Sequence, residues 1–134
     1  MTKRYVFDSH SFLAFFQKED GAETVARILE KAIAQQMDRF ICLINLGEII
    51  YITKRNFGDI KKLEVLARIN QLGVKVLPVE EALVFKAAEI KAEYPISYAD
   101  CFALACAQEQ AAALVTGDPD FKKVEHLVDI HWIR

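Results

Sequence analysis

S-Y-A-D-C-F-A-L-A-C-A-Q-E-Q-A-A-A-L-V-T-G-D-P-D-F, from Ser97 to Phe121, holds a helix, a turn, a strand and an acidic loop in succession. Cys101 to Ala107 is apolar on every side, the pattern of a helix buried on most of its faces. Asp100 stands in the first turn of that helix, and Asp118 and Asp120 stand just past the strand Ala113-Leu114-Val115-Thr116. Carboxylates at the mouth of a buried element need something to compensate their charge. The rest of the chain supplies the fold that gathers them.

Upstream, Arg4-Tyr5-Val6-Phe7 is a short apolar strand that stops at Asp8, and Ser9 to Lys18 reads as a helix. A break at Glu19-Asp20-Gly21 precedes a second helix, Ala22 to Gln36, with Val25, Ile28, Leu29 and Ile33 at helical spacing. Phe40 to Ile44 is a continuous apolar run, the mark of a strand covered on both faces. Asn45 opens the next helix, which ends before Gly58, and Asp59 opens another with Leu63, Leu66, Ile69 and Leu72. Val74 to Leu77 is a third strand, Glu80 to Lys91 a helix, and Val128 to Ile133 a final strand. Strands alternating with helices predict an α/β fold of three layers: a mainly parallel central sheet of four to five strands flanked by helices. Residues 1–134 read as a single domain, without repeats or linkers.

The totals agree with one compact domain. The chain has 134 residues, 53% of them hydrophobic and 27% charged, which excludes a disordered chain. A formal net charge of −2 provides no global field for nucleic acid or membrane, so a polyanionic substrate has to be met by local cations or metal ions. Cys42, Cys101 and Cys106 lie in apolar runs without C-x-x-C spacing and read as buried thiols of a reducing compartment. The early first strand and the lack of any apolar run near ~18 residues predict a cytoplasmic protein with no signal peptide and no membrane span.

In a parallel sheet, strand ends and the starts of the following helices share one edge, where the functional crevice of an open α/β sheet lies. Asp8 ends the first strand, Glu48 lies in the first turn after the second, and Asp118 follows the fourth. Asp100 joins them if its helix docks with its first turn toward the site. Each acid also has a purely structural reading. Asn45-Leu46-Gly47-Glu48 and Ser97-Tyr98-Ala99-Asp100 resemble capping boxes, and Asp8 and Asp118 stand where caps do. Clustered carboxylates raise one another's pKa unless a cation intervenes. A hard ion such as Mg²⁺ or Mn²⁺ fits an all-oxygen set, whereas His10, His126 and His131 form no zinc-type pair. Carboxylate-held ions suit hydrolysis of a phosphodiester by water, which needs no serine or cysteine nucleophile.

Together, Asp8-Ser9-His10, Leu46-Gly47-Glu48, Ser97-Tyr98-Ala99-Asp100 and Val115-Thr116-Gly117-Asp118-Pro119-Asp120-Phe121 resemble the motifs of the PIN-domain ribonucleases, in order and over essentially the whole chain. More narrowly, the chain resembles the VapC-type toxins of toxin–antitoxin pairs. The resemblance implies a Mg²⁺- or Mn²⁺-dependent ribonuclease whose catalytic and metal-binding residues are Asp8, Glu48, Asp100 and Asp118. It also implies accessory places for Asp120, Thr116 and Ser9, a homodimer, and inhibition by a small antitoxin protein.

Lys54, Arg55, Lys122 and Lys123 are the candidate RNA-binding cations, each of which also fits a solvated helix face. Phe12, Phe15 and Phe16 circle their helix too widely to share one interior, so at least one is expected to be covered by a partner. Two rival readings stand beside the nuclease: a phosphatase-type hydrolase with Asp8 as nucleophile, and a non-catalytic interaction domain whose acids are only caps.

Overall fold

The computed structural model describes residues 3–134. Strand β1 (Tyr5–Phe7) leads into helices α1 (Ser9–Phe16) and α2 (Ala22–Ala34). Then come β2 (Arg39–Cys42), α3 (Leu43–Phe57), α4 (Asp59–Gln71), β3 (Lys75–Leu77) and α5 (Glu81–Glu93). Helix α6 (Tyr98–Glu109), β4 (Ala113–Thr116), a 3₁₀ turn (Pro119–Val124) and β5 (Ile130–Trp132) complete the chain.

The five strands form one parallel sheet in the order β3-β2-β1-β4-β5. Side chains alternate across it. Tyr5, Phe7, Ile41, Ala113 and Val115 pack toward α1, α2, α3 and α4, while Val6, Phe40, Cys42 and Leu114 pack toward α5 and α6. Burial on both faces explains why the central strands β1, β2 and β4 are rich in apolar residues, whereas the edge strands β3 and β5 are more exposed. All seven residues from Cys101 to Ala107 are buried, so α6 is apolar all round because it is enclosed all round.

The topology provides a crevice. The chain builds β1, β2 and β3 outward in one direction, then crosses back to place β4 on the other side of β1. The order therefore reverses between β1 and β4, and ligands of open α/β sheets bind beyond the strand ends at such a reversal. Asp8 and Asp118 emerge on those two strands.

Several local expectations are corrected. Strand β2 ends at Cys42, not Ile44, and Cys42 is the residue that precedes helix α3. Leu43 and Ile44 prolong the apolar run but belong to the helix, because strand passes into helix with no polar turn between them. Asn45 is consequently inside α3 and is no N-cap. In α4 the buried residues are Val65 and Ile69, whereas Leu63 is 60% exposed. The last strand is shorter than the apolar run that suggested it. Among the described residues, no helix is long and apolar enough to cross a membrane. The three cysteines are free and buried.

Candidate active site

Asp8 leaves β1 and caps α1: its Oδ1 accepts the Ser11 N–H at 2.8 Å, and the Ser11 hydroxyl donates to the Asp8 carbonyl at 3.0 Å. Its Oδ2 accepts the hydroxyl hydrogen of Thr116, the last residue of β4. The Thr116 oxygen in turn accepts the Asp118 N–H at 3.0 Å, and Asp118 Oδ1 accepts the Asp120 N–H at 2.9 Å. A single chain of hydrogen bonds therefore joins the ends of β1 and β4 and shapes the acidic loop. Capping and site-building are the same act here.

Asp100 reaches this edge from α6, where the Ser97 hydroxyl accepts its backbone N–H at 3.1 Å. Carboxylate oxygens of Asp100, Asp118 and Asp120 lie within 4.8 Å of one another. Glu48 comes from α3, its Oε1 accepting from Asn45 Nδ2 at 3.0 Å. The same amide nitrogen donates to the carbonyl of Ala99 at 3.2 Å, which ties α3 to α6 one residue before Asp100. Asn45 is fully buried, so these bonds hold Glu48 against a fixed wall.

The electrostatics are those of crowded, buried acids. Burial pushes the Asp8 carboxyl up to about 7, against the lowering effect of its bonds from Thr116 and Ser11, and the Asp100 charge adds to the rise. Asp100 is raised to about 6, first by burial and then by Asp118, with Glu48 and Asp120 adding to it. Among the described residues, no ion pair involves Asp8, Glu48, Asp100 or Asp118, and Asp120 has only Lys123 at 3.6 Å. An all-carboxylate set whose one ion pair among the described residues is the exposed Asp120–Lys123 contact fits a hard divalent cation.

A family model for the PIN domain matches residues 5–127. The chain belongs to the PIN domain family. A search of curated proteins finds no match to it. Among solved structures, VapBC2 from Rickettsia felis, bound to a DNA fragment from its promoter, superposes with a TM-score of 0.79 at 17% identity, covering 95% of this chain and 96% of that one. The DNA-bound VapBC of Salmonella typhimurium gives 0.76 at 18% identity and covers both chains fully. VapC20 of Mycobacterium tuberculosis, described as a Sarcin-Ricin loop cleaving toxin, gives 0.71 at 20% identity, with 90% and 94% covered. These likenesses establish the shared fold.

On this PIN domain the expected site residues are not all equally placed. Asp120, ranked as an accessory from the sequence, stands with Asp100 and Asp118 in one carboxylate group, whereas Asp8 and Glu48 lie outside it but near enough to interact with the Asp100 charge. Thr116 is central, since it links Asp8 to Asp118. Ser9 is half-buried at the first helical position, and Ser11 makes the contacts to Asp8 instead. Ser11 was legible as a cap partner three residues after Asp8. Asn45 gave no such signal, because its role depends on an α3–α6 contact.

Of the four candidate RNA-binding cations, three are engaged within the protein. Lys54 pairs with Asp59 at 3.2 Å, Arg55 lies over the Tyr51 ring at 5.2 Å, and Lys123 pairs with Asp120. Lys122 is exposed on the 3₁₀ turn. His10, in the first turn of α1, accepts from Arg134 Nη2 through Nε2 at 2.9 Å. Burial and then the Arg134 charge lower its pKa, while Asp118 and Glu19 act in the opposite sense.

Phe12 is fully buried and stacks on Phe7, their ring centroids 4.7 Å apart. Phe15 and Phe16 are half-buried and line an open groove of about 1050 Å³ with Val65 and Ile133. That groove lies over α1, α2 and α4, and its lining includes none of the site acids.

Proposed function

We propose that this PIN domain is a metal-dependent endoribonuclease, hydrolysing RNA phosphodiester bonds, and the toxin of a toxin–antitoxin pair. The observation that carries the proposal is the set of crowded carboxylates at the reversal of the sheet, braced through Thr116 and with only Asp120 in an ion pair among the described residues. Asp100 and Asp118 are the principal ligands for Mg²⁺ or Mn²⁺, with Asp120, Asp8 and Glu48 completing the acidic wall. When bound, such an ion supplies charge neutralisation at the phosphate and a lowered pKa for water. Asp8 fixes the Thr116 hydroxyl and through it the acidic loop, while Asn45 keeps Glu48 beside the start of α6.

Two observations bear on the rival readings. Asp8 is 2% exposed, and its two oxygens are occupied by Ser11 and Thr116, which disfavours it as a phosphatase nucleophile. Asp8 and Asp118 do act as caps, as an interaction domain would require. Caps alone, however, do not call for mutually crowded carboxylates with raised pKa values.

The test is direct. RNA is incubated with Mg²⁺, Mn²⁺ or EDTA, using the natural sequence beside Asp8→Asn and Asp100→Asn. Metal-dependent cleavage lost in both variants is expected, and cleavage that persists in EDTA would refute the proposal. For the partner, the half-buried Phe15 and Phe16 in a groove of mixed apolar and charged lining favour an amphipathic antitoxin helix laid across α1, α2 and α4, with a homodimer as the assembly. The solved VapBC neighbours motivate that choice. Co-expression with a small neighbouring reading frame, followed by size-exclusion chromatography, measures it; a stable monomer that takes up no such protein would count against both.

A further inference from the structure

Thr116 does more than join Asp8 to Asp118. Its carbonyl accepts the Ile133 N–H at 3.0 Å, which carries the β4–β5 ladder past the last strand residue to the edge where the acids lie. Arg134 is next, and it therefore projects from the same edge. Gly117 explains how close the two segments come. A methyl group there would lie 2.8 Å from Ile133 Cγ1 and 3.0 Å from His10 Cε1, so only glycine lets β5 and the start of α1 close on the acidic loop.

His10 fixes the arginine. Arg134 donates to His10 Nε2 at 2.9 Å, and since a guanidinium only donates, the ring must be an acceptor at that nitrogen. The contact neutralises no charge. Arg134 takes part in none of the ion pairs among the described residues, and it is exposed. The result is an oriented guanidinium, held by a histidine that lies against Gly117 and within reach of the Asp118 charge, with no other hydrogen bond among the described residues. Three of the four sequence-level candidates for RNA binding lack that freedom. A planar fork of donors suits a phosphodiester oxygen pair.

We propose that Arg134, oriented by His10, contacts an RNA phosphate flanking the scissile one at the Asp118 end of the site. The proposal rests on the ribonuclease reading, so its test uses binding, which is measured apart from cleavage. Fluorescence anisotropy of a labelled single-stranded oligoribonucleotide is followed in EDTA over a series of salt concentrations. Arg134→Ala is expected to weaken binding about 10-fold and to reduce the slope of log K against log salt by ~0.7, the loss of one phosphate contact. Arg134→Lys restores the slope but only part of the affinity, because an ammonium lacks the planar fork. Lys75→Ala, which removes an exposed cation at the opposite edge of the sheet, serves as the control and changes binding less than about two-fold.

With Mg²⁺, Arg134→Ala raises KM about 10-fold while kcat stays within about two-fold, as loss of uniform binding requires. Arg134→Ala binding that matches Lys75→Ala overturns the proposal. Weakened binding with an unchanged slope overturns it as well, since the contact is then not to a phosphate. Failure of the natural sequence to cleave RNA sinks the ribonuclease reading alone, and the binding series still decides the role of Arg134. Absence of RNA binding altogether overturns both.

Discussion

Replacing Asp8 by Asn should stabilise the metal-free protein while disabling it. The buried carboxyl has a pKa near 7, against about 3.9 for an exposed aspartate. Because the folded value lies above the unfolded one, the stability linked to Asp8 is complete below about pH 4 and is lost as pH rises through about 7. Three units at ~1.4 kcal/mol each make the loss on the order of 4 kcal/mol near pH 8. Asn avoids that charge. Its Oδ1 still accepts the Ser11 N–H, but its amide faces a Thr116 hydroxyl that already accepts from Asp118, so about 1 kcal/mol is forfeited. The net gain is on the order of 3 kcal/mol, or roughly 9 °C in Tm near pH 8 for a domain of this size. Near pH 4 the difference should reverse to a small loss, about 1 kcal/mol. Differential scanning calorimetry in EDTA, run as a pH series on both proteins, measures it. A Tm difference that does not change with pH would refute the buried-charge argument. Millimolar Mg²⁺ should raise the Tm of the natural sequence near pH 8 and raise that of Asp8→Asn less, since Asp100, Asp118 and Asp120 remain to bind the ion while one nearby charge is gone.

Thr116→Val keeps the shape of the side chain but strips Asp8 Oδ2 and the Asp118 N–H of their shared partner; a cost of about 2–3 kcal/mol in urea unfolding and at least a ten-fold fall in cleavage rate are expected. Asn45→Ala frees Glu48 and leaves the Ala99 carbonyl without its donor; activity should fall with kcat, not KM, and stability by about 1–3 kcal/mol. Gly117→Ala forces a methyl group against Ile133 and His10, and chemical denaturation should show a loss of about 1–3 kcal/mol.

These perturbations separate what the sequence could disclose from what it could not. The central strands were legible because they lie between helical layers: Val6 faces one layer while Tyr5 and Phe7 face the other, so all three had to be apolar. Asp8 and Asp118 were legible because their backbone positions follow strands and their side chains bond residues only two or three places away. The α3 boundary failed for the opposite reason. Leu43 is 47% exposed yet continues the apolar run of β2, so hydropathy alone could not show where strand became helix. That error made Asn45 a cap and hid its actual work, a bridge from Glu48 to Ala99 across two helices.

The closeness of Asp120 to Asp100 and Asp118 depends on the curl of the 3₁₀ turn, whose first bond is the Asp120 N–H donated to the Asp118 side chain. Arg134 had no local signal at all, since its partner His10 is 124 residues away in sequence. Acids announce themselves here through the caps they form, whereas the cation beside them is found only once the sheet brings β5 against β4. Caps of short range can thus be read from motifs, but the placing of Arg134 against His10 is set by strand order. The Arg134 binding series is accordingly the stricter test of the fold, because its outcome depends on the β4–β5 pairing that no motif encodes.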